Sequence, residues 1–264
     1  MSRKYIGVFD SGLGGLTTVS EIIRQLPDEN IVFIGDTANM PYGSKTKEQI
    51  ISFTLNNIHT LLEHDLKAVV IACNTSDSNA RNVAEKEFDL PIFGVISPAA
   101  RKAAEITVCK KIGVIATELT VKSERYEKLI KEHDSDIEVY QMACPKLVPL
   151  VESGLFLIDK NAMIRTLKDY IDPLYEKGID TLILGCTHYD ILMDLTSEIY
   201  PDLKLVSSSR PVVNDLKEYL EKNDLREKEK EAVREYYTTS DPEEFAKIAQ
   251  LLIKDIEIKQ RVFR

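Results

Sequence analysis

Short apolar runs recur along the chain, and each ends in small or polar residues before a stretch with helical periodicity. Eight runs have this form: Tyr5–Asp10, Asn30–Asp36, Ala68–Asn74, Pro91–Ile96, Lys111–Thr117, Ile137–Ala143, Asp180–Cys186 and Leu203–Ser207. Strands that are buried on both faces of a parallel sheet are continuously apolar in this way. Alternation of such strands with helices predicts an α/β fold with parallel sheets flanked by helices.

The intervening stretches have the apolar spacing of amphipathic helices. Two of them repeat apolar residues every three or four positions, at Ile51, Leu55, Ile58 and Leu62 and at Ile164, Leu167, Ile171 and Leu174. These stripes predict helix faces that pack on the core. Residues 240–244 (SDPEE) predict the start of a C-terminal helix, and residues 256–258 predict a late strand. The mixed charged run at 222–235 is interpreted as a solvated helical face.

Two segments of the chain resemble two others. Residues 6–11 (IGVFDS) are similar to 112–117 (IGVIAT), and residues 69–75 (VVIACNT) are similar to 182–188 (LILGCTH). Two short matches leave an internal duplication and a chance likeness between strands equally open. A duplication would place Cys73 and Cys186 at equivalent positions on two facing lobes.

Length, composition and charge exclude several classes of protein. A chain of 264 residues suits one large domain or two compact lobes, and its 44% hydrophobic residues are ordinary for a globular protein. The net charge of −9, without a basic block, disfavours a nucleic-acid partner. No apolar segment approaches the roughly 18 residues of a membrane span, and the N-terminus lacks a signal-peptide pattern. We therefore expect a cytoplasmic protein without a membrane partner.

The polar residues that end the predicted strands indicate where a ligand would bind, since parallel sheets bind ligands at the carboxyl ends of their strands. They are Asp10, Ser11, Asp36, Cys73, Asn74, Thr75, Thr117, Cys186, Thr187 and His188. The glycine run at 10–15 lacks the lysine of a phosphate-binding loop and favours a tight turn that exposes Asp10 and Ser11. Residues 41–43 fit a turn or part of the site. His59, His64 and His133 are predicted to lie on the surface without partners.

The four cysteines lack the C-x-x-C spacing of zinc or redox motifs, so we expect free thiols. Cys109 and Cys144 are interpreted as structural. Cys73 and Cys186 each end a buried run, and three interpretations remain: a nucleophile with His188 as its base, two proton-transfer groups, or packed core residues. A nucleophile leaves the second cysteine unexplained.

A proton-transfer pair fits the inversion of a carbon centre, which needs a base on one face and an acid on the other. Asp10, Glu152 and His188 could orient or tune such thiols. Developing negative charge needs hydrogen-bond donors, and Ser11, Asn74, Thr75, Thr187 and the amides at helix starts suit an acidic ligand.

Seven segments resemble successive motifs of the glutamate racemases, in the cofactor-independent aspartate/glutamate racemase family. They lie at 9–16 (FDSGLGGL), 35–43 (GDTANMPYG), 72–76 (ACNTS), 112–123 (IGVIATELTVKS), 144–154 (CPKLVPLVESG), 185–189 (GCTHY) and 236–245 (YYTTSDPEEF). The resemblance covers nearly the whole chain in the right order. It implies two α/β lobes that face each other across a cleft, and a homodimer. We predict one lobe from residues 1–97 and about 209–264, containing Cys73, and a second from about 98–208, containing Cys186.

The resemblance also implies the reaction and the residues that perform it. Cys186 would take the α-proton of L-glutamate, and Cys73 that of D-glutamate, with neither pyridoxal phosphate nor metal, to supply D-glutamate for peptidoglycan. Asp10 would support Cys73, while Glu152 and His188 would support Cys186. The implied substrate-binding residues are Asp10, Ser11, Tyr42, Gly43, Asn74, Thr75, Thr187 and His188.

The chain departs from the family pattern at three positions. Asn39 stands where arginine is common, Asp190 replaces a proline, and Ser207 replaces an aspartate. None of the three is a proton-transfer group. A racemase of a related acid such as aspartate, and a binding protein without catalysis, are the alternatives; binding alone needs no thiols.

Overall fold

The strands form two separate parallel sheets in a computed structural model, which describes residues 3–227 and 231–261. The first sheet contains β1 (Tyr5–Asp10), β2 (Asn30–Gly35), β3 (Leu66–Ile71), β4 (Ile92–Gly94), β9 (Arg234–Thr238) and β10 (Ile258–Gln260). The second contains β5 (Lys111–Ala116), β6 (Glu138–Ala143), β7 (Thr181–Gly185) and β8 (Lys204–Val206). All pairings within them are parallel. The predicted α/β class is confirmed.

The two sheets share one strand order. The first runs β10-β9-β2-β1-β3-β4 and the second β6-β5-β7-β8, so β2-β1-β3-β4 corresponds to β6-β5-β7-β8. The register agrees as well, because Gly7 pairs with Val69 and Gly113 pairs with Leu182, which are the residues that the internal resemblance aligns. The similarity of the two halves therefore extends from sequence to topology and register.

Helices flank both sheets. They are α1 (Gly15–Gln25), α2 (Lys47–Leu61), α3 (Asn74–Glu87), α4 (Ile96–Ile106), α5 (Glu118–Lys122), α6 (Arg125–His133), α7 (Leu147–Glu152), α8 (Leu155–Ile158), α9 (Lys160–Tyr175), α10 (Thr187–Asp190), α11 (Met193–Ile199), α12 (Ser209–Lys222) and α13 (Pro242–Leu252), with 3₁₀ turns at Thr37–Asn39 and Tyr42–Ser44. The stripe predicted in α9 is buried at Leu167, Ile171 and Leu174. In α2, Ile58 is buried, whereas Leu62 is 42% exposed because it follows the last helical residue.

Local capping explains where two of these helices begin. At α2, the amide of Gln49 donates to Thr46 Oγ1 at 3.3 Å, and the amide of Thr46 donates to Gln49 Oε1 at 3.0 Å. This reciprocal pair satisfies two amides that a helix start leaves free. At α13, the carboxylate of Asp241 accepts from the amide of Glu243 at 2.8 Å, and Pro242 occupies the first turn. The predicted C-terminal helix start is confirmed.

The prediction of a helical face at 222–235 is wrong. Helix α12 ends at Lys222, residues 223–227 and 231–233 are not helical, and Arg234 and Glu235 belong to β9, a strand that the sequence reading missed. Residues 228–230 lie outside the described part of the chain. The cause is tertiary: buried Glu29 accepts from the amide of Glu227 at 3.0 Å, and Asn30 Oδ1 accepts from the amide of Val233 at 2.8 Å. These bonds hold the segment against β2.

The strand order also bears on the predicted lobes. β1 to β4, β9 and β10 fall in one sheet, and β5 to β8 fall in the other. The lobe boundaries near residues 98 and 209 stay a prediction. The late strand predicted at 256–258 lies slightly later, at Ile258–Gln260.

Candidate active site

Cys73 and Cys186 lie at corresponding places in the two sheets. Cys73 comes shortly after β3 and occupies the N-cap position of α3, and Cys186 follows β7 and occupies the N-cap position of α10. Both are buried, and both line one cavity of about 210 Å³. The cavity is also lined by Ser11, Pro41, Tyr42, Gly43, Ser44, Asn74, Thr75, Thr117, Glu118, Cys144, Pro145, Val148, Pro149, Thr187 and His188. Of the predicted site residues, Asp10 and Glu152 are missing from this lining and lie behind it.

Asp10 is fully buried behind Cys73, so the expectation that its turn exposes Asp10 and Ser11 is wrong. Its carboxylate accepts from the amide of Gly12 at 2.9 Å and from Thr187 Oγ1, on the other sheet's side, at 3.0 Å. The thiol of Cys73 donates to Ser11 Oγ at 3.9 Å. Burial, and then the charge of Asp10, raise the pKa of Cys73 to about 12. Cys73 is therefore a protonated thiol at neutral pH.

Cys186 has the opposite electrostatic surroundings. Its Sγ lies 3.7 Å from His188 Nδ1, and His188 Nε2 lies 2.5 Å from Glu152 Oε1. Burial by itself lowers the pKa of His188, but the bonds with Cys186 and Glu152 outweigh it and hold that pKa well above its ordinary value. An imidazolium beside a sulfur stabilises negative charge there. The cavity thus combines one thiol that keeps its proton with one that lies beside a cationic imidazole.

The glycines of the 10–15 run permit a close approach between the two sides of the cavity. A Cβ at Gly12 would lie 2.3 Å from Glu152 Oε1, and a Cβ at Gly14 would lie 2.5 Å from Thr187 Oγ1. Leu13, between them, donates its amide to Glu152 Oε1 at 3.1 Å. At Gly14 the absence of a side chain is required, because a Cβ would also lie 2.7 Å from the backbone nitrogen of His188, whereas a Cβ at Gly12 would displace the Glu152 carboxylate.

Neutral hydrogen-bonding groups line the rest of the cavity. Thr75 Oγ1 and Thr117 Oγ1 are 2.9 Å apart, and Tyr42 donates its hydroxyl to Asp36 at 2.5 Å. The side chain of Asn74 is already bonded, because it donates to Ser208 Oγ at 3.1 Å and accepts from Tyr126 at 2.7 Å. Asn74 and Thr75 also begin α3, whose first backbone amides can bind an anion.

Sequence reasoning missed the cavity wall formed after β6. Cys144, which was assigned a structural role, is buried there, and Glu118 and Val148 also line the cavity. Burial, and then Cys186, raise the pKa of Cys144 well above its ordinary value. Cys144 directly follows β6, so the strand-end rule that singled out Cys186 would have included it.

The remaining cysteine and the other histidines lie outside the cavity. Cys109 is exposed, and so are His59 and His133. His64 is only partly buried, and the prediction that it has no partner is wrong, because its Nε2 lies 3.6 Å from Glu235 Oε1. The partner belongs to β9, the strand that was not predicted.

The three departures from the family pattern also lie outside the cavity lining. Asn39 donates to both carboxylate oxygens of Asp36, at 3.0 Å each. Ser207 Oγ accepts from the amide of Arg210 at 3.2 Å, and Asp190 accepts from the start of α12. Among residues 3–227 and 231–261, no group of three or more His, Cys, Asp or Glu side chains is arranged to hold a metal. Within the same ranges, no helix has the length and apolarity needed to span a bilayer.

The molecule thus has two similar parallel α/β units that share a cavity, with a thiol at the same strand end of each unit. This arrangement defines a class of proteins that carry out acid–base chemistry in a cleft. The chain belongs to the Asp/Glu/Hydantoin racemase family, which it matches over residues 6–214. The glutamate racemase of Persephonella marina is 42% identical over 97% of this chain and 96% of that protein. That of Lactococcus lactis subsp. lactis is 40% identical over 95% of this chain and 92% of its own length.

Solved structures agree with the family assignment. A glutamate racemase isoform of Bacillus anthracis superposes with a TM-score of 0.94 at 36% identity, covering 100% of this chain and 98% of that one. The Francisella tularensis glutamate racemase in complex with D-glutamate gives a TM-score of 0.90 at 31% identity, covering 100% and 98%. The aspartate racemase of Picrophilus torridus, at 18% identity and a TM-score of 0.60, shares the fold.

Proposed function

We propose that this protein is a glutamate racemase that interconverts L- and D-glutamate by proton transfer at the α-carbon between Cys73 and Cys186. The observation that carries the proposal is the single cavity lined by both thiols, whose electrostatic surroundings are opposite. Near-full-length similarity to glutamate racemases supports glutamate as the substrate.

In the L-to-D direction, Cys186 acts as the base. The cationic His188, held by Glu152, stabilises the thiolate that takes the α-proton. Cys73, which is protonated at rest, then delivers its proton to the opposite face of the planar intermediate. The thiols leave the cycle with exchanged protonation states, ready for the reverse reaction. There Asp10 makes the Cys73 thiolate more basic, which favours proton removal from the D-enantiomer.

The substrate's carboxylates would be bound by neutral donors. None of the residues lining the cavity is a lysine or arginine, although the chain has a net charge of −9. We propose that Ser11, Tyr42, Gly43, Asn74 and Thr75, with Thr187 and His188, contact glutamate through side chains or backbone. Asp10 contributes to the binding of the substrate amine from behind the lining. The first amides of α3 add a positive dipole end, which favours an anion at short range.

Incubation with L-glutamate in heavy water tests the reaction. We expect optical rotation to decay to zero while deuterium enters the α-position, and L-aspartate to react far more slowly. Persistent rotation with L-glutamate would refute the proposal, and faster decay with L-aspartate would identify an aspartate racemase instead.

Single cysteine variants test the division of labour. Cys73→Ala and Cys186→Ala should each lower racemisation by at least about 10²-fold, the usual contribution of a positioned acid or base. Cys73→Ala should still exchange the α-proton of L-glutamate, and Cys186→Ala that of D-glutamate. Cys109→Ala is the matched control, because this exposed thiol lies outside the cavity. Equal exchange of both enantiomers by either catalytic variant would contradict the assignment.

We further propose that the protein is a cytoplasmic homodimer whose D-glutamate serves peptidoglycan synthesis, with lobes divided near residues 98 and 209. Light scattering of the purified protein tests the dimer: a monomer mass across the working concentration range would refute it. Depletion of the protein in its host should create a requirement for D-glutamate, and growth without it would refute the biosynthetic role.

A further inference from the structure

Two consecutive serines at the start of α12, Ser208 and Ser209, contact the segments that contain both thiols. Ser208 Oγ accepts from Asn74 Nδ2 at 3.1 Å, and Asn74 directly follows Cys73. The same hydroxyl donates to the carbonyl of Leu184 in β7 at 2.7 Å, two residues before Cys186. The Ser208–Ser209 junction is thus bonded close to each cysteine.

Asp190 binds this junction from the Cys186 side. Its Oδ1 accepts from the amide of Ser208 at 3.0 Å, and its Oδ2 accepts from the amide and hydroxyl of Ser209 at 3.1 and 2.7 Å. Asp190 ends α10, the short helix that begins directly after Cys186. A single carboxylate therefore links the residues after Cys186 to the start of α12.

Ser209 extends the network to the first sheet's side of the molecule. Its hydroxyl lies 2.8 Å from Thr17 Oγ1 and 3.1 Å from Thr18 Oγ1, both in α1. Helix α1 follows the loop that connects it to Asp10, the last residue of β1. Four segments that position the site, namely α1, the start of α3, β7 and α10, thus converge on two residues.

Asp190 also accepts hydrogen bonds from the amides at the start of α12, which the side chain of Ser208 does not cap. Ser208 precedes the first residue of α12 but makes no capping bond with its own side chain, because its hydroxyl is bonded to Leu184 and Asn74. A helix start leaves its first amides without intrahelical partners. The carboxylate of Asp190 supplies those acceptors from a separate helix.

We propose that Asp190 is a positioning residue that, through Ser208 and Ser209, fixes the separation between the Cys73 and Cys186 loops. The proposal rests on the two-thiol reaction proposed above, in which both sulfurs must stand within proton-transfer reach of one carbon. A displacement of about 1 Å can cost about 10²-fold in rate. Asp190 is not among the residues that line the cavity, so in this proposal it acts through the geometry of the two loops.

The ionisation of Asp190 offers a separate readout. Burial raises its pKa to about 7, despite the hydrogen bonds from Ser209 and Ser208, and the charge of Glu21 in α1 adds to the effect. Tyr126 in α6 also interacts with it, while Arg210 in α12 lies 3.6 Å from Glu21 and offsets that charge. His188, on the same short helix, is held cationic by Glu152. The carboxylate that accepts all three bonds is fully formed only above neutral pH.

Asp190→Asn tests the proposal, and Asp180→Asn is its matched control. Asp180 also holds a loop with its carboxylate, accepting from the amides of Val108 and Cys109 at 2.6 and 3.1 Å. Unlike Asp190, it makes no bond to the Ser208–Ser209 junction, and the loop that it holds contributes no residue to the cavity lining. We expect Asp190→Asn to lower kcat by about 10- to 100-fold with a much smaller change in KM. The kcat of the unmodified protein should rise near pH 7 as Asp190 ionises, and Asp190→Asn should lack this rise. Asp180→Asn should lower the melting temperature and leave kcat within about 2-fold, as expected of a change remote from the site.

The ratio of proton exchange to inversion distinguishes positioning from general damage. Exchange of the L-glutamate α-proton needs only Cys186, whereas inversion needs both thiols at the right separation. Asp190→Asn should therefore raise the ratio of exchange to inversion. If it melts lower but keeps kcat and this ratio unchanged, the proposal is overturned.

Ser209→Ala removes the hydroxyl's bonds to Thr17, Thr18 and Asp190 Oδ2, while it keeps the bond from the Ser209 amide to Asp190. If Asp190→Asn does not fold, Ser209→Ala replaces it as the test, and an unchanged ratio of exchange to inversion in Ser209→Ala overturns the proposal. Absence of both exchange and inversion in the unmodified protein would instead refute the proposed function, which keeps the two failures distinct.

Discussion

The protonation of Cys73 leads to a prediction that needs no substrate. Its pKa of about 12 lies three units above the reference value of 9.0, a difference of about 4 kcal/mol in the cost of ionisation. At about pH 8, roughly one Cys73 in 10⁴ would be a thiolate, against roughly one in ten for a thiol at the reference value. Alkylation consumes the thiolate, so Cys73 should react about 10³-fold more slowly than an unperturbed thiol.

Alkylation by iodoacetamide, followed by mass spectrometry of the Cys73 peptide, measures this directly. The experiment uses a Cys109→Ser background, which removes the exposed thiol. Slow reaction alone could reflect poor access, but protonation imposes a distinct pH dependence. The rate should rise about tenfold per pH unit up to at least about pH 10, whereas a thiol at the reference value levels off near its pKa of 9.0. A plateau below about pH 10 would refute the reasoning.

Replacement of Asp10 separates the two causes. Burial contributes most to the raised pKa of Cys73 and the charge of Asp10 comes second, so Asp10→Asn should move the alkylation curve to lower pH without restoring an ordinary thiol. Asp36→Asn is the control, because Asp36 is equally buried at the end of the neighbouring strand β2 and is not among the causes of the shift. If the alkylation curve moved by the same amount in both variants, loosened packing and not the charge of Asp10 would be responsible for the shift.

Two further predictions concern contacts around Cys186. Glu152→Gln removes the charge that helps to raise the pKa of His188, so the imidazolium should be lost at lower pH and the L-to-D kcat should fall by about 10-fold or more; an unchanged pH–rate profile would contradict this role. Gly14→Ala would place a Cβ 2.5 Å from Thr187 Oγ1 and 2.7 Å from the backbone nitrogen of His188. It should lower both the melting temperature and kcat, whereas Gly178→Ala, with open space around its Cβ but a φ of +77°, should lower the melting temperature alone.

The sequence was sufficient to locate most strands, because strands buried on both faces need continuous apolar residues. Each of the eight runs overlaps a strand of the structure, although β3 begins at Leu66, two residues before its run. Strand β9 was not predicted because Arg234 and Glu235 continue a charged run and only Tyr236 and Thr238 are buried. Its position depends on Glu29 and Asn30 binding a distant segment, which no local pattern encodes.

The site was predictable where it follows strand ends and unpredictable where it depends on contacts between distant segments. Position after a strand singled out Cys186, and the same rule applies to Cys144. Nothing local shows that Glu152 accepts from both His188 and the Leu13 amide.

The departures at Asp190 and Ser207 illustrate the same limit. They are separate departures from the family pattern in the sequence, yet Asp190 accepts a hydrogen bond from the amide of Ser208, the residue next to Ser207. Their proximity follows from the way β8 leads into α12 beside α10, which only the tertiary structure specifies.

Thermodynamics limits what the unequal surroundings of the two thiols can do in the proposed reaction. Mirror-image amino acids have equal free energies in water, so kcat/KM must be identical in the two directions whatever surrounds each sulfur. The unequal neighbours, Asp10 and His188, can therefore make kcat differ between the two directions only if KM differs by the same factor. They also make the unliganded enzyme two species that differ in which sulfur bears the proton. Each turnover converts one species into the other, and at high substrate flux the return of that proton through solvent becomes a kinetic step of its own.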